Sequence, residues 1–316
     1  MENSVKVLNS IVENVEKVIV GKRKSVELAL ISLICNGHVL IEDVPGVGKT
    51  SLISSLSRSI SASFKRIQFT PDILPSDITG FSMYNQKTGD FEYRPGAVMS
   101  QIILADEINR TSPKTQASLL EVMEENQVTV DGVTHKVPKP FMVLATQNPI
   151  EYLGTFPLPE AQLDRFFMKI SIGYPTPGEE SYILNRFRQS NPIETLESVA
   201  TGEQIIKIQE EIKEVHVDKT LNDYIVDIVS STRKHNDIIL GSSPRGSIAL
   251  FKAAQAWAFY NKRNFVMPED IKYMVVPVLS HRIVLKQEAK LKKINAADIL
   301  DSILDKIKVP VVDSNV

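Results

Sequence analysis

Cysteine is almost absent from this chain. Cys35 is the single one among 316 residues, so no internal disulfide can form and a reducing compartment is expected. Long apolar runs are missing as well: the stretch from Leu28 to Cys35 is too short and too polar-flanked to span a bilayer, so no membrane span is expected. Charge of one sign is missing too. Thirty-six basic residues stand against 38 acidic ones, a net charge of −2, which gives no global basic field to gather nucleic-acid phosphates or anionic lipid. No nucleic-acid partner is therefore expected. His38, His135, His216, His235 and His281 lack ligand spacing, which argues against a protein-held transition metal. Met1-Glu2-Asn3-Ser4 lacks the basic and apolar regions of a secretory signal, so the expected location is cytoplasmic. Repeats and low-complexity tracts do not occur. Apolar residues are plentiful at 43%, enough for the cores of roughly two domains at this length.

The most informative stretch is Pro45-Gly46-Val47-Gly48-Lys49-Thr50-Ser51, which follows the apolar run His38-Val39-Leu40-Ile41 and opens a segment with helical apolar spacing at Leu52, Ile53, Leu56 and Ile60. Glycines let backbone N–H groups approach an anion, and the following helix points its positive end at it. In such a loop Lys49 reaches the β- and γ-phosphates and Thr50 ligates Mg²⁺. The strict motif wants glycine where this chain has Asp43, a residue that itself tolerates turn and left-handed geometry.

A second apolar run, Gln101-Ile102-Ile103-Leu104-Ala105, ends in Asp106-Glu107. Mg²⁺ gives up water reluctantly and uses few carboxylates, so Asp106 is expected to hold it through water. Glu107 is expected to orient or deprotonate the attacking water. A third run, Phe141-Met142-Val143-Leu144-Ala145, delivers Thr146-Gln147-Asn148, which places the Asn148 amide within reach of both the γ-phosphate and the water; Asn148-Pro149 is also a turn signal.

Strand-like runs at 38–42, 65–68, 101–105, 141–146 and 167–172 alternate with helical patterns. This alternation predicts a mostly parallel sheet covered by helices, with ligands at the strand carboxyl ends, where all three candidate clusters sit. Phe81 to Arg94, turning at Thr88-Gly89, and Val128 to Val137, turning at Asp131-Gly132, read as β-hairpins. The breaker cluster Tyr174-Pro175-Thr176-Pro177-Gly178 marks the expected boundary. The expected organisation is a nucleotide-binding α/β core over 1–174, a linker over 175–178 and a small helical domain over 179–316. Helices are predicted over 179–189, 202–214, 219–234, 244–261 and 268–279. Ser243-Pro244 supplies an N-cap and a first helical position for the fourth of these.

With these three strand ends in order, the chain resembles the MoxR family of AAA+ ATPases. The supporting stretches are Glu42 to Thr50, Gln68-Phe69-Thr70-Pro71-Asp72-Ile73-Leu74-Pro75-Ser76-Asp77-Ile78-Thr79-Gly80, Ala105 to Arg110, Ala145 to Pro149, Pro157 to Phe166 and Ser243-Pro244-Arg245. The resemblance implies an AAA+ phosphate-loop sheet domain with β-hairpin inserts, followed by a small all-helical lid. It also implies Mg²⁺-dependent ATP hydrolysis in a ring, expected to be a hexamer. By the same resemblance Arg165 matches the arginine finger that enters the neighbouring subunit's site, and Arg245 matches the second sensor. Val20-Gly21 matches the segment lying against adenine. Plainer readings stay open: a local ion pair of Arg165 with Asp164, solvent binding by Arg245, and an ordinary helix-to-loop stop at Gly21. The resemblance further implies chaperone-like work on a protein client, often beside a partner with a von Willebrand factor type A domain, which this chain does not carry itself. Two other classes stand beside it: a nucleotide-gated scaffold with little turnover, and a nucleic-acid translocase.

Overall fold

The computed structural model describes residues 1–147, 154–187 and 192–310. Its strands, in chain order, are β1 (Val39–Glu42), β2 (Phe64–Gln68), β3 (Gly80–Asn85), β4 (Asp90–Pro95), β5 (Ile102–Asp106), β6 (Gln127–Val130), β7 (Val133–Lys136), β8 (Met142–Gln147), β9 (Met168–Ile170), β10 (Ile238–Leu240) and β11 (Val284–Leu285). The chain forms two compact units. One holds Asn9–Leu158 and Ile170–Ile206; the other holds Met1–Leu8, Pro159–Lys169 and Lys207–Val316.

The first unit is built on sheet strands in the order β2-β5-β8-β1, with β2 at the sheet's edge. Pairing of β2 with β5, β5 with β8 and β8 with β1 is parallel. Val39, Leu40 and Ile41 of β1, residues 102–105 of β5 and 142–145 of β8 are buried throughout. A parallel strand covered on both faces has no polar side to alternate with, which is why these segments read as continuous apolar runs. The register sets the strand ends level: Gln68 lies opposite Asp106, and Glu42 opposite Gln147. His38, just before β1, fixes the layer beneath. Its Nε2 bonds the Met123 carbonyl at 2.9 Å, and its Nδ1 accepts the Val143 N–H at 3.0 Å. Accepting at Nδ1 requires a neutral ring, and burial pushes its pKa down to about 4.

Both predicted hairpins form. β3 and β4 pair from Gly80 opposite Pro95 to Asn85 opposite Asp90, and β6 pairs with β7 across the Asp131-Gly132 turn. Tyr93 of the first stacks on His135 of the second at 3.9 Å between ring centroids. Phe81, Met83, Tyr84 and Phe91 of the first hairpin and Val133 of the second are exposed.

The second unit is dominated by helices at Lys219–Lys234, Pro244–Tyr260, Pro268–Leu279 and Ala296–Lys306. Leu221, Ile225 and Ile228 of the first, Leu250, Ala253 and Ala254 of the second, and Ile271, Met274 and Val278 of the third are buried at helical spacing. Ser243 caps the second through its side chain, with Pro244 in the first turn as predicted. A β10–β11 pair accompanies the helices, a feature too short to show as a periodic signal.

Candidate nucleotide site

The loop after β1 leads into a helix at Lys49–Ser59 whose N-cap is Gly48, at φ 92° in the left-handed region, and Gly46 sits at φ 85°. A glycine cap offers no side-chain oxygen, so the N–H groups of the first turn keep their capacity to bind an anion. A Cβ at Gly46 would meet no atom within 4 Å, so open space faces the loop there. The donor set and this space fit a phosphate chain. Lys49, whose Nζ donates to the Asp43 carbonyl at 2.9 Å, folds back over the loop it would serve.

Asp43, where the strict motif wants glycine, is buried and bonded. Its carboxylate accepts from Ser171 Oγ at 2.9 Å, from the Gly173 N–H at 3.2 Å and from the Ile172 N–H. Ile19, just before Val20-Gly21, approaches the loop, its side chain coming 3.6 Å from where a Gly48 Cβ would be. Gly21 has φ 72°, which favours glycine, and the flexible Glu179 carboxylate lies against it, 1.6 Å from where a Cβ would be. The Thr176 N–H and then its hydroxyl hold the Glu179 carboxyl below its ordinary range, with Lys22 adding to the effect.

At the end of β5 the acidic pair is held by one hydroxyl. Thr146 Oγ1 donates to Asp106 Oδ1 at 2.7 Å and accepts the Glu107 N–H at 2.9 Å. Glu107 itself adopts left-handed backbone, φ 57° and ψ 49°, which turns its side chain out of the strand direction. Two arginines that sequence reading left without a role meet these acids. Arg66 Nη2 reaches Asp106 Oδ2 at 2.6 Å, with Nε at 3.2 Å from the same oxygen. Arg110 Nε lies 3.1 Å from Glu107 Oε2. Gln68 joins the two halves, its Oε1 accepting from Arg66 at 2.9 Å and its Nε2 donating to Glu107 at 3.0 Å. The signals were present but silent. Arg66 and Gln68 share a strand face by the period of two, and Arg110 is three residues past Glu107.

Of the residues singled out from the sequence, the structure gathers Asp43 with the loop to Ser51, with Ile19, the neighbour of Val20-Gly21, against Gly48, and separately Asp106 with Glu107. Asn148 lies outside the described residues. Arg165 and Arg245 belong to the other unit. Arg165 follows Asp164, whose carboxylate accepts from Arg282 Nε at 2.9 Å and Ser243 Oγ at 2.7 Å. Arg282 also donates to the carbonyls of Phe166 at 2.6 Å, Phe167 at 3.1 Å and Val278. Burial lowers the Arg282 pKa to about 10 despite the opposing pull of Asp164; nearby Arg245 lowers it further. Arg245 opens the helix that Ser243 caps.

Comparison with known proteins places this geometry. Residues 38–168 match the model described as the ATPase family associated with various cellular activities (AAA), and residues 230–303 match the AAA lid domain. The chain is 56% identical over 304 residues to the Bacillus subtilis protein YeaC, covering 96% of this chain and 95% of that one. It is 40% identical to Chaperone MoxR1 of Mycobacterium tuberculosis, covering 98% of this chain and 84% of the relative. The crystal structure of a candidate ATPase from Cytophaga hutchinsonii superposes with a TM-score of 0.91 at 40% identity, over 98% of each chain. By phosphate loop, sheet order, lid and near-full-length likeness together, the chain belongs to the MoxR family of AAA+ ATPases.

Proposed function

We propose that the protein binds ATP with Mg²⁺ at the loop from Pro45 to Ser51, hydrolyses it as a member of a ring, and uses the cycle to remodel a protein client. The observation that carries this reading is that a glycine-capped helix N-terminus facing open space and an acidic pair, Asp106 and Glu107, held by one buried threonine, follow the carboxyl ends of two parallel strands, β1 and β5, that flank β8 in one sheet.

Lys49 leaves the Asp43 carbonyl to contact the β- and γ-phosphates, and the amides from Gly46 to Ser51 line the phosphate path. Thr50 and Asp106 would hold the cation, which would supply positive charge to offset the negative charge of the terminal phosphates. Glu107 orients water for in-line attack, and Asn148 helps position it. Val20-Gly21 borders the base. Arg165 completes the site of a neighbouring subunit, where a finger of this kind is worth about 10³ to 10⁵ in rate, and Arg245 acts as the sensor on the helical unit. Chaperone-like remodelling extends to this chain what the name of its Mycobacterium tuberculosis relative says, and a von Willebrand factor type A protein is the partner class proposed. The ring is proposed as a hexamer and the location as cytoplasmic. Among the described residues, no helix is long and apolar enough to cross a membrane.

The test joins binding to turnover. Labelled ATP with Mg²⁺ is expected to bind the native chain and to lose that binding in Lys49→Ala. Turnover per subunit is expected to rise with protein concentration, because the site is shared. Equal binding by Lys49→Ala, or turnover strictly proportional to concentration from the monomeric regime upward, contradicts the reading.

A further inference from the structure

Arg66 has no part in the nucleotide scheme above, yet it makes the closest charged contact in the acidic cluster. Its guanidinium approaches a single Asp106 oxygen through two nitrogens, at 2.6 and 3.2 Å, and the other oxygen is taken by the Thr146 hydroxyl. Both oxygens of Asp106 are therefore engaged, one of them by a full positive charge. A monovalent cation fixed so close repels a divalent one, and at separations of a few ångströms this interaction is large unless solvent screens it. Asp106 is only 13% exposed, so screening on its side is weak.

The arginine is placed to leave. It stands on β2, the edge strand of the sheet, with 48% of its side chain exposed, whereas Asp106 is fixed on an inner strand by a buried threonine. Its long stem can carry the charge into water without moving the backbone. Gln68 Oε1 also accepts from it, so the parked position is held by an amide as well as by a carboxylate. Arg110 pairs with Glu107, and Arg66 pairs with Asp106.

We propose that Arg66 is a resident counter-ion for Asp106 that a divalent cation displaces, so that this arginine sets how much magnesium the nucleotide site requires. The inference rests on the nucleotide reading above and treats Arg66 as a positioning residue acting through Asp106. An Arg66 that leaves Asp106 only when the cation arrives keeps the acidic pair neutralised in the empty protein and raises the magnesium concentration at which the site fills.

The experiment measures binding of a fluorescent, non-hydrolysable ATP analogue to the full chain across a magnesium series and in EDTA. Arg66→Gln is expected to lower the half-saturating magnesium concentration by about three- to tenfold, with a much smaller change in EDTA. Arg66→Lys, which keeps the charge but not the two-nitrogen contact, is expected to fall between Arg66→Gln and the native chain. An unchanged or higher magnesium midpoint in Arg66→Gln, with any loss confined to thermal stability, overturns the inference and leaves a structural role. Absence of analogue binding by the native chain at saturating magnesium overturns the nucleotide reading itself and the inference with it, a result distinct from an unmoved midpoint.

Discussion

Among the arginine–aspartate pairs of the described residues, one from each unit can be set side by side, and these two are opposite in kind. Arg66 and Asp106 meet at the edge of the sheet unit, with the arginine 48% exposed; Arg282 and Asp164 meet in the helical unit, with the arginine 3% exposed. The first guanidinium has a carboxylate and one amide for company. The second serves a carboxylate and several main-chain carbonyls, among them those of Phe166, Phe167 and Val278. A pair with one partner in water gains little net energy because water competes for that partner, whereas a fully buried charge must be satisfied or not be there at all. The difference separates a contact that can be exchanged during a cycle from one that fixes a shape. Arg282 holds the segment that carries Arg165, so the proposed finger is set by packing in its own unit.

The comparison can be broken most directly at Arg282. Replacing it with Ala takes the positive charge from Asp164, which keeps the Ser243 hydroxyl, and a donor from several carbonyls, and a loss of about 3 to 5 kcal/mol is expected in urea denaturation. A loss below about 1 kcal/mol would make the two pairs alike and end the distinction.

Acid sharpens the contrast next, because each unit also buries a histidine. For His38 the folded pKa of about 4 lies below the ordinary 6.5, so the unfolded chain takes up the proton first. The stability from its neutral form is complete above pH 6.5 and is lost as pH falls towards 4, by up to about 3 kcal/mol. His281 in the helical unit is pushed in the same direction, by burial first and then by Arg282. Denaturation midpoints across this window are expected to fall with pH, and His38→Gln to flatten part of the slope. An unaltered slope would remove His38 as its source.

The smallest effect is expected at Arg66. Arg66→Ala should change folding stability by no more than about 1 kcal/mol, read by the same urea titration. A loss as large as that at Arg282 would show the edge pair to be structural.

The sheet unit was legible because its strands are buried on both faces and therefore announce themselves as apolar runs; Val39 to Ile41, Ile102 to Ala105 and Met142 to Ala145 each form strand in the structure. The hairpins showed through Thr88-Gly89 and Asp131-Gly132, and the fourth predicted helix through Ser243-Pro244. Position in the chain also led to the loop glycines and to the acidic pair. What the sequence did not reveal are the partners. Arg66 with Asp106, Thr146 with Glu107 and Arg282 with Asp164 are joined by register and packing across 40, 39 and 118 positions. Local spacing carries no information about such pairs. The β10–β11 pair was hidden for a different reason, since strands of two and three residues leave no period to detect.

Asp43 has a consequence of its own. A glycine at that place would leave the start of the loop free to sample many backbone shapes, whereas this carboxylate stitches it to Ser171, Ile172 and Gly173 on the far side of β9. The proposed phosphate cradle is thereby shaped in the chain without a ligand. Part of the disorder that would otherwise be lost on association is removed when the chain folds, so a residue outside the usual glycine pattern becomes the source of preorganisation.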